Sequence, residues 1–222
     1  MRAQWVPLSA SSLVTGVMAL VLGSVLGPTS NGGDAGATLR VVTTHGDRWM
    51  AMAVLFFVAS VALTLGLPTL VTLFDRPRGR WLGLAGTAVF LVGTIGTCGY
   101  SMLMTFFHAL VRSHALNGRL LDNAVAGGWL IVLLYVWLGG FMLGLLLIAC
   151  GLLRARATSV WVPVLLLVFV GLTPVAGELG KVGQLLQLMA LAVAFTGIAM
   201  AATSPRRGRE RSEPSLALRG IR

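Results

Sequence analysis

Six long apolar runs, residues 8–27, 49–74, 82–111, 124–153, 160–174 and 182–202, take up most of this 222-residue chain. A transmembrane helix needs about 20 consecutive apolar residues, with a range of about 17 to 25. The runs therefore predict an all-α, polytopic membrane helix bundle of about six transmembrane helices. Composition agrees: 56% of residues are hydrophobic and 11% charged, where a soluble domain carries about 25% charged residues, and the mean hydropathy is +0.87. The third and fourth runs exceed what a bilayer requires, so tilting or projecting ends are expected. The fifth is short and has Pro163 and Pro174 near its ends, positions where proline suits a helix start and stop.

Basic residues set the expected orientation, because short cytoplasmic loops accumulate Lys and Arg. Arg76, Arg78 and Arg80, Arg154 and Arg156, Arg206, Arg207, Arg209 and Arg211, with Arg2, Arg219 and Arg222, fall on one face of the predicted topology. The other face has Arg40, Arg48, Arg112, Arg119 and Lys181. Both termini are accordingly expected in the cytoplasm, in a multi-pass protein of the cell membrane. The expected division is a transmembrane domain over 1–202 and a basic, mobile cytoplasmic tail over 203–222, drawn to anionic headgroups. The first run reads as a retained helix, since "GPTSNGGDAGA" offers no clear A-x-A cleavage site before Asp34. Abundant Ala, Gly, Val, Leu and Arg beside a single Lys suggests a GC-rich, bacterial genome.

The net charge of +10 is not read as a nucleic-acid signal, because the basic residues cluster between apolar runs and in the tail. Cys98 and Cys150 lie within apolar runs with no ligand spacing, and buried free thiols are expected. Phosphate-loop, zinc-protease and serine-hydrolase motifs do not occur. Only His108 lies within a run, so a bis-histidine haem is not expected. Neither cofactor nor metal is expected. Gly140-Phe-Met-Leu-Gly144, with Gly93, Gly96 and Gly99, favours close helix packing.

Asp34, Asp47, Asp122 and Glu178 fall at the outer ends of the predicted spans, as do His45, His108 and His114. Tyr100, Met104, His108 and Arg112 recur every four residues and stay near one side of a helix, drifting about 40° per step, with Gly96 and Gly93 continuing inward. Ionisable groups facing hydrocarbon are costly, so this stripe should face the bundle or a wet cavity; a hydrogen bond to a neighbouring helix, or snorkelling, would equally account for His108. Glu178, Lys181, Gln184 and Gln187 recur every three residues, and the two glutamines need interhelical partners. Asp47, and the pair Asp122 and Asn123, suit helix N-termini.

Three functions fit this layout. In an enzyme working on a lipid-like substrate, apolar helix faces hold the hydrocarbon and an acid at the wet mouth moves a proton, because a carboxyl group in an apolar setting has a raised pKa. Asp47, Asp122 and Glu178 are the candidate acids, with His108 or Tyr100 to orient or relay. Aromatic residues among Trp49, Phe106, Phe107, Trp129, Tyr135 and Trp137 can stabilise a carbocation through their π faces. In size, span number and the placing of acids at helix ends, residues 1–202 resemble the small polytopic membrane terpene cyclases, which close rings in prenylated precursors by protonation. The resemblance implies an isomerase or lyase type of reaction, a hydrophobic prenylated substrate and no metal. A small-solute transporter, working as a homo-oligomer, is the second reading, although the deep polar inventory is limited to Gln184, Gln187, Thr94, Thr97 and Tyr100. A non-catalytic sensor or accessory subunit is the third.

Overall fold

A computed structural model describes residues 5–27, 35–74, 79–113, 128–176 and 180–204. Among these residues the chain is all-helical: α1 (Trp5–Leu26), α2 (Ala35–Thr44), α3 (Gly46–Leu73), α4 (Arg80–Arg112), α5 (Trp129–Ala155), α6 (Trp161–Ala176) and α7 (Gly180–Thr203). Helices α1, α3, α4, α5 and α7 contain stretches long and apolar enough to cross a membrane, and α6 is apolar but shorter. At about 1.5 Å per residue its 16 residues span roughly 24 Å. Helix α2 was not expected from the sequence. It meets α3 at His45, whose N–H donates to the Val41 carbonyl and whose own carbonyl accepts from Trp49 N–H.

Six helices pack in chain order, α1 on α3, α3 on α4, α4 on α5, α5 on α6, α6 on α7, and α7 returns to α1. Each seam is antiparallel. Gly46 meets His108 at one end of the α3–α4 seam, and Ser60 reaches the Thr94 carbonyl further along it. One end of the bundle thus has Arg80, Arg154 and Arg156, and the other has His45, Asp47, His108 and Arg112. These are called the arginine end and the histidine end below.

Small residues let the backbones approach, which matters in a membrane because lipid is as apolar as the helices and close packing has to supply the attraction. Along α4–α5, a Cβ on Gly86 would come 2.7 Å from the Ile148 nitrogen, and one on Gly93 would come 2.6 Å from the Phe141 Cα. On α5, a Cβ on Gly144 would lie 2.5 Å from the Phe90 nitrogen. The second glycine of the G-x-x-x-G motif is therefore held at a true backbone crossing. Phe90 fills the centre, with ring centroids 5.1 Å from Phe141 and 5.8 Å from Phe195.

Polar groups inside are spent on helix packing. Ser60 donates to the Thr94 carbonyl at 2.7 Å. The Gln187 amide donates to the Phe169 carbonyl at 3.1 Å and to the Thr173 hydroxyl at 2.7 Å, joining α7 to α6. That is the interhelical role expected of it, whereas Gln184 is exposed. The thiols differ from expectation: Cys98 is half-buried and Cys150 exposed. Cys150 occupies the outward side of α5, where a small apolar side chain meets lipid as readily as protein.

Candidate functional site

The histidine end has its own small core, separate from the main one: Ala53, Phe56 and Met104, backed by Trp49, Met52 and Tyr100. It forms because α3 and α4 keep one register over this stretch. The Trp49 indole donates to the Met104 carbonyl at 3.0 Å, and its ring lies 6.2 Å from Phe107. That bond captures a carbonyl within the α4 helix and fixes the depth of α3 against α4.

Tyr100 lies one to two turns further in. Its ring is stacked on Trp137 of α5, centroids 4.5 Å apart and planes 19° from parallel, and Phe56 of α3 sits tilted on its other flank at 6.3 Å. Trp137 is fixed in turn by its indole N–H, which donates to the Thr97 hydroxyl at 3.0 Å. The Thr97 hydroxyl in turn donates a hydrogen bond to the Gly93 carbonyl. Three helices therefore converge on one phenol, held by ring contacts.

His108 closes the α3–α4 seam above this cluster. The Cε1 edge of its ring points at Gly46, where a Cβ would come 2.6 Å from the imidazole Cε1. Only glycine allows that approach. The His108 Nδ1 is buried and has no hydrogen-bond partner among the described residues. Leaving a buried polar atom unpaired costs about 1–3 kcal/mol, so this ring is held by packing in spite of its polarity. Asp47 follows Gly46 directly, exposed in the first turn of α3. The N-cap residue is His45, with no side-chain capping bond, so Asp47 acts on this helix end through its charge near the dipole and not as a cap.

The stripe expected on α4 is present, but its members serve different seams. The drift of about 40° per step carries Gly93, Gly96 and Tyr100 onto α5 and brings Met104 and His108 onto α3. Arg112 is exposed at the end. Of the expected catalytic residues, Asp47, His108 and Tyr100 are thus gathered at the histidine end. Asp122 and Glu178 lie outside the described residues, as do Asp34, His114 and the 205–222 tail. Of the aromatics considered, Trp49, Phe107 and Trp137 join the cluster, whereas Phe106, Trp129 and Tyr135 are exposed. Phe56 was missed; it has no sequence signal beyond its place in an apolar run. Among the described residues, no group of three or more His, Cys, Asp or Glu side chains is placed to hold a metal ion.

The bundle is that of an integral membrane protein, and among the described residues its acid, Asp47, and its histidines, His45 and His108, lie at one end. The chain matches no family model, and no curated protein or solved structure is similar to it.

Proposed function

We propose that the protein is a bilayer-embedded enzyme that closes rings in a prenylated, lipid-like substrate by protonation, with Asp47 as the proton donor. The observation that carries this reading is the order of groups at the histidine end: the exposed acid Asp47, His108 packed on the preceding residue Gly46, and an aromatic cluster of Phe56, Tyr100 and Trp137 below. Tyr100 is eight residues from His108, about 12 Å along the helix. A proton moves from the Asp47 carboxyl to one carbon of a substrate double bond, leaving a cation on the other. The π electrons of a second double bond attack that cation and form the new ring bond. The cation that results is met by the aromatic faces, and loss of a proton to the Asp47 carboxylate restores the acid. The reaction is an isomerisation with no net redox change.

A small-solute transporter is less well supported. Deep hydroxyls are turned onto backbone carbonyls, as with Thr94 to Leu91 and Thr97 to Gly93, so they are not presented to a solute. The test is turnover of farnesyl-bearing substrates by the purified protein in detergent, without added metal. General-acid loss typically costs about 10²–10⁴-fold, so Asp47→Asn is expected to lower turnover by at least about 100-fold with unchanged thermal stability. Tyr100→Phe, which keeps the ring and removes the hydroxyl, separates a relay role from a cation-stabilising one. Full activity in a folded Asp47→Asn variant sinks the acid assignment. No conversion of any prenylated substrate, together with solute counterflow in proteoliposomes, overturns the enzyme reading in favour of transport.

A further inference from the structure

On the outer side of the α3–α4 seam, facing the membrane, runs a groove of about 480 Å³, within the usual range of about 300–1,000 Å³ for ligand pockets. Its floor is made by two small buried residues, Ala53 and Ser101. Its rims are Val54 and Phe57 on α3 and Met102 and Phe106 on α4, all exposed. The two hydroxyls in it are occupied: Ser101 donates to the Cys98 carbonyl and Thr105 to the Ser101 carbonyl. The groove therefore offers hydrocarbon contact along its length.

Its upper end is different. On α4, Ser101, Thr105, His108 and Arg112 are spaced by four, three and four residues, one continuous helix face. The same face of α3 holds Phe57, Ala53, Met50 and Gly46. His108, packed on Gly46, closes the seam above the groove, and Arg112 lies one turn beyond it, exposed. Arg112 makes no ion pair or hydrogen bond through its side chain with the described residues. Arg40 and Arg48 are exposed at the same end, against Asp47 as the single described acid. From Gly46 to Phe57 the helix rises about 16 Å, roughly half of the ~30 Å hydrocarbon thickness. The last lining residue on α4 is Ala109, so the exposed Arg112 stands about one turn past the end of the groove.

We infer that this groove binds one chain of an anionic phospholipid from the leaflet at the histidine end, with the lipid phosphate held at Arg112. Chain length, apolar wall and charge all match such a lipid. The site stands apart from the proposed reaction, whose aromatic cluster lies on the inner side of Ala53 and Ser101. A second outward groove, of about 280 Å³ between α1 and α3, is bordered by Ser11, Ser12 and Thr15. Neither groove has a cation in its lining, but this one has no described cation one turn past its end and serves as an internal control.

The experiment uses the full-length protein in lipid nanodiscs containing phosphatidylglycerol or phosphatidylcholine with the same photoactivatable diazirine in one chain. Cross-linked peptides are mapped by mass spectrometry. The expected result is labelling of residues 53–57 and 101–109 at least about fivefold stronger from phosphatidylglycerol, with no such preference in the α1–α3 groove. Arg112→Gln is expected to abolish the preference and leave the weaker chain labelling intact. Met102→Trp, a change at an exposed rim position that the fold tolerates, is expected to fill the groove and remove labelling there alone. Equal labelling of both grooves by both lipids, or a preference that survives Arg112→Gln, overturns the inference and leaves only the ordinary lipid annulus.

Discussion

Ser9 repairs a break that Pro68 makes in another helix. Proline within α3 removes a backbone donor and disturbs the local ladder. The Thr69 N–H turns to the Ser9 hydroxyl at 3.2 Å, and that hydroxyl lies 3.0 Å from the Leu65 carbonyl and 3.1 Å from the Gly66 carbonyl. Ser9 is buried and holds all three backbone groups of α3 from across the seam. Ser9→Ala is therefore expected to lower stability by about 1–2 kcal/mol, measured by thermal unfolding in detergent. Ser11→Ala is the control, because Ser11 bonds only the Leu8 carbonyl of its own helix in an exposed position; its effect should stay within about 0.5 kcal/mol. Equal effects would count against a repairing role. None of this was legible in the sequence, where Ser9 is one of several serines near a helix start and Pro68 is far away along the chain.

Helix pairs show where the sequence is informative and where it stops. Apolar length located every large helix, and the glycine content of α4 and α5 pointed to a close seam. What the pattern did not resolve is which glycines are needed. Gly139 has open space where a Cβ would go, while Gly144 lies against the Phe90 backbone. Gly139→Ala should therefore stabilise α5 by up to about 1 kcal/mol through helix propensity. Gly144→Ala forces α4 and α5 apart and should cost about 1–3 kcal/mol. The pair is compared by unfolding in detergent, and a Gly144→Ala variant as stable as Gly139→Ala would show the seam to be looser than described. Helix α2 escaped notice for a related reason: "AGATLRVVTT" has no apolar run of spanning length, and its place is decided by packing on α3 and α4. The gathering of Asp47, His108 and Tyr100 at one end was expected from topology. The contact of His108 with Gly46 was not, because it depends on a register between positions far apart in the chain.

The closed ring makes a prediction about the whole molecule that hinges on its shortest member. Helix α6 falls short of the ~30 Å hydrocarbon thickness, and a short span is accommodated by local thinning or by its neighbours. Its neighbour is α7, which runs antiparallel along it: Gln187 bonds Thr173 towards the C-terminal end of α6, and a Cβ on Gly197 would meet Trp161 and Val162 at its start. Both helices thus lie across the same slab, so Ser159 before α6 and Ser204 after α7 belong on the same side. Ser113, after α4, belongs on the opposite side. All three are exposed and suit single-cysteine probes in a background with Cys98 and Cys150 replaced by serine. If the arginine end is cytoplasmic, as the positive-inside rule expects, a membrane-impermeant maleimide added to intact cells labels Ser113→Cys at once and labels Ser159→Cys and Ser204→Cys only after permeabilisation. Reversal of all three would overturn the orientation and leave the ring intact. Labelling of Ser159→Cys and Ser204→Cys from opposite sides would break the ring itself, because α6 and α7 could not then both cross the bilayer while packed along each other.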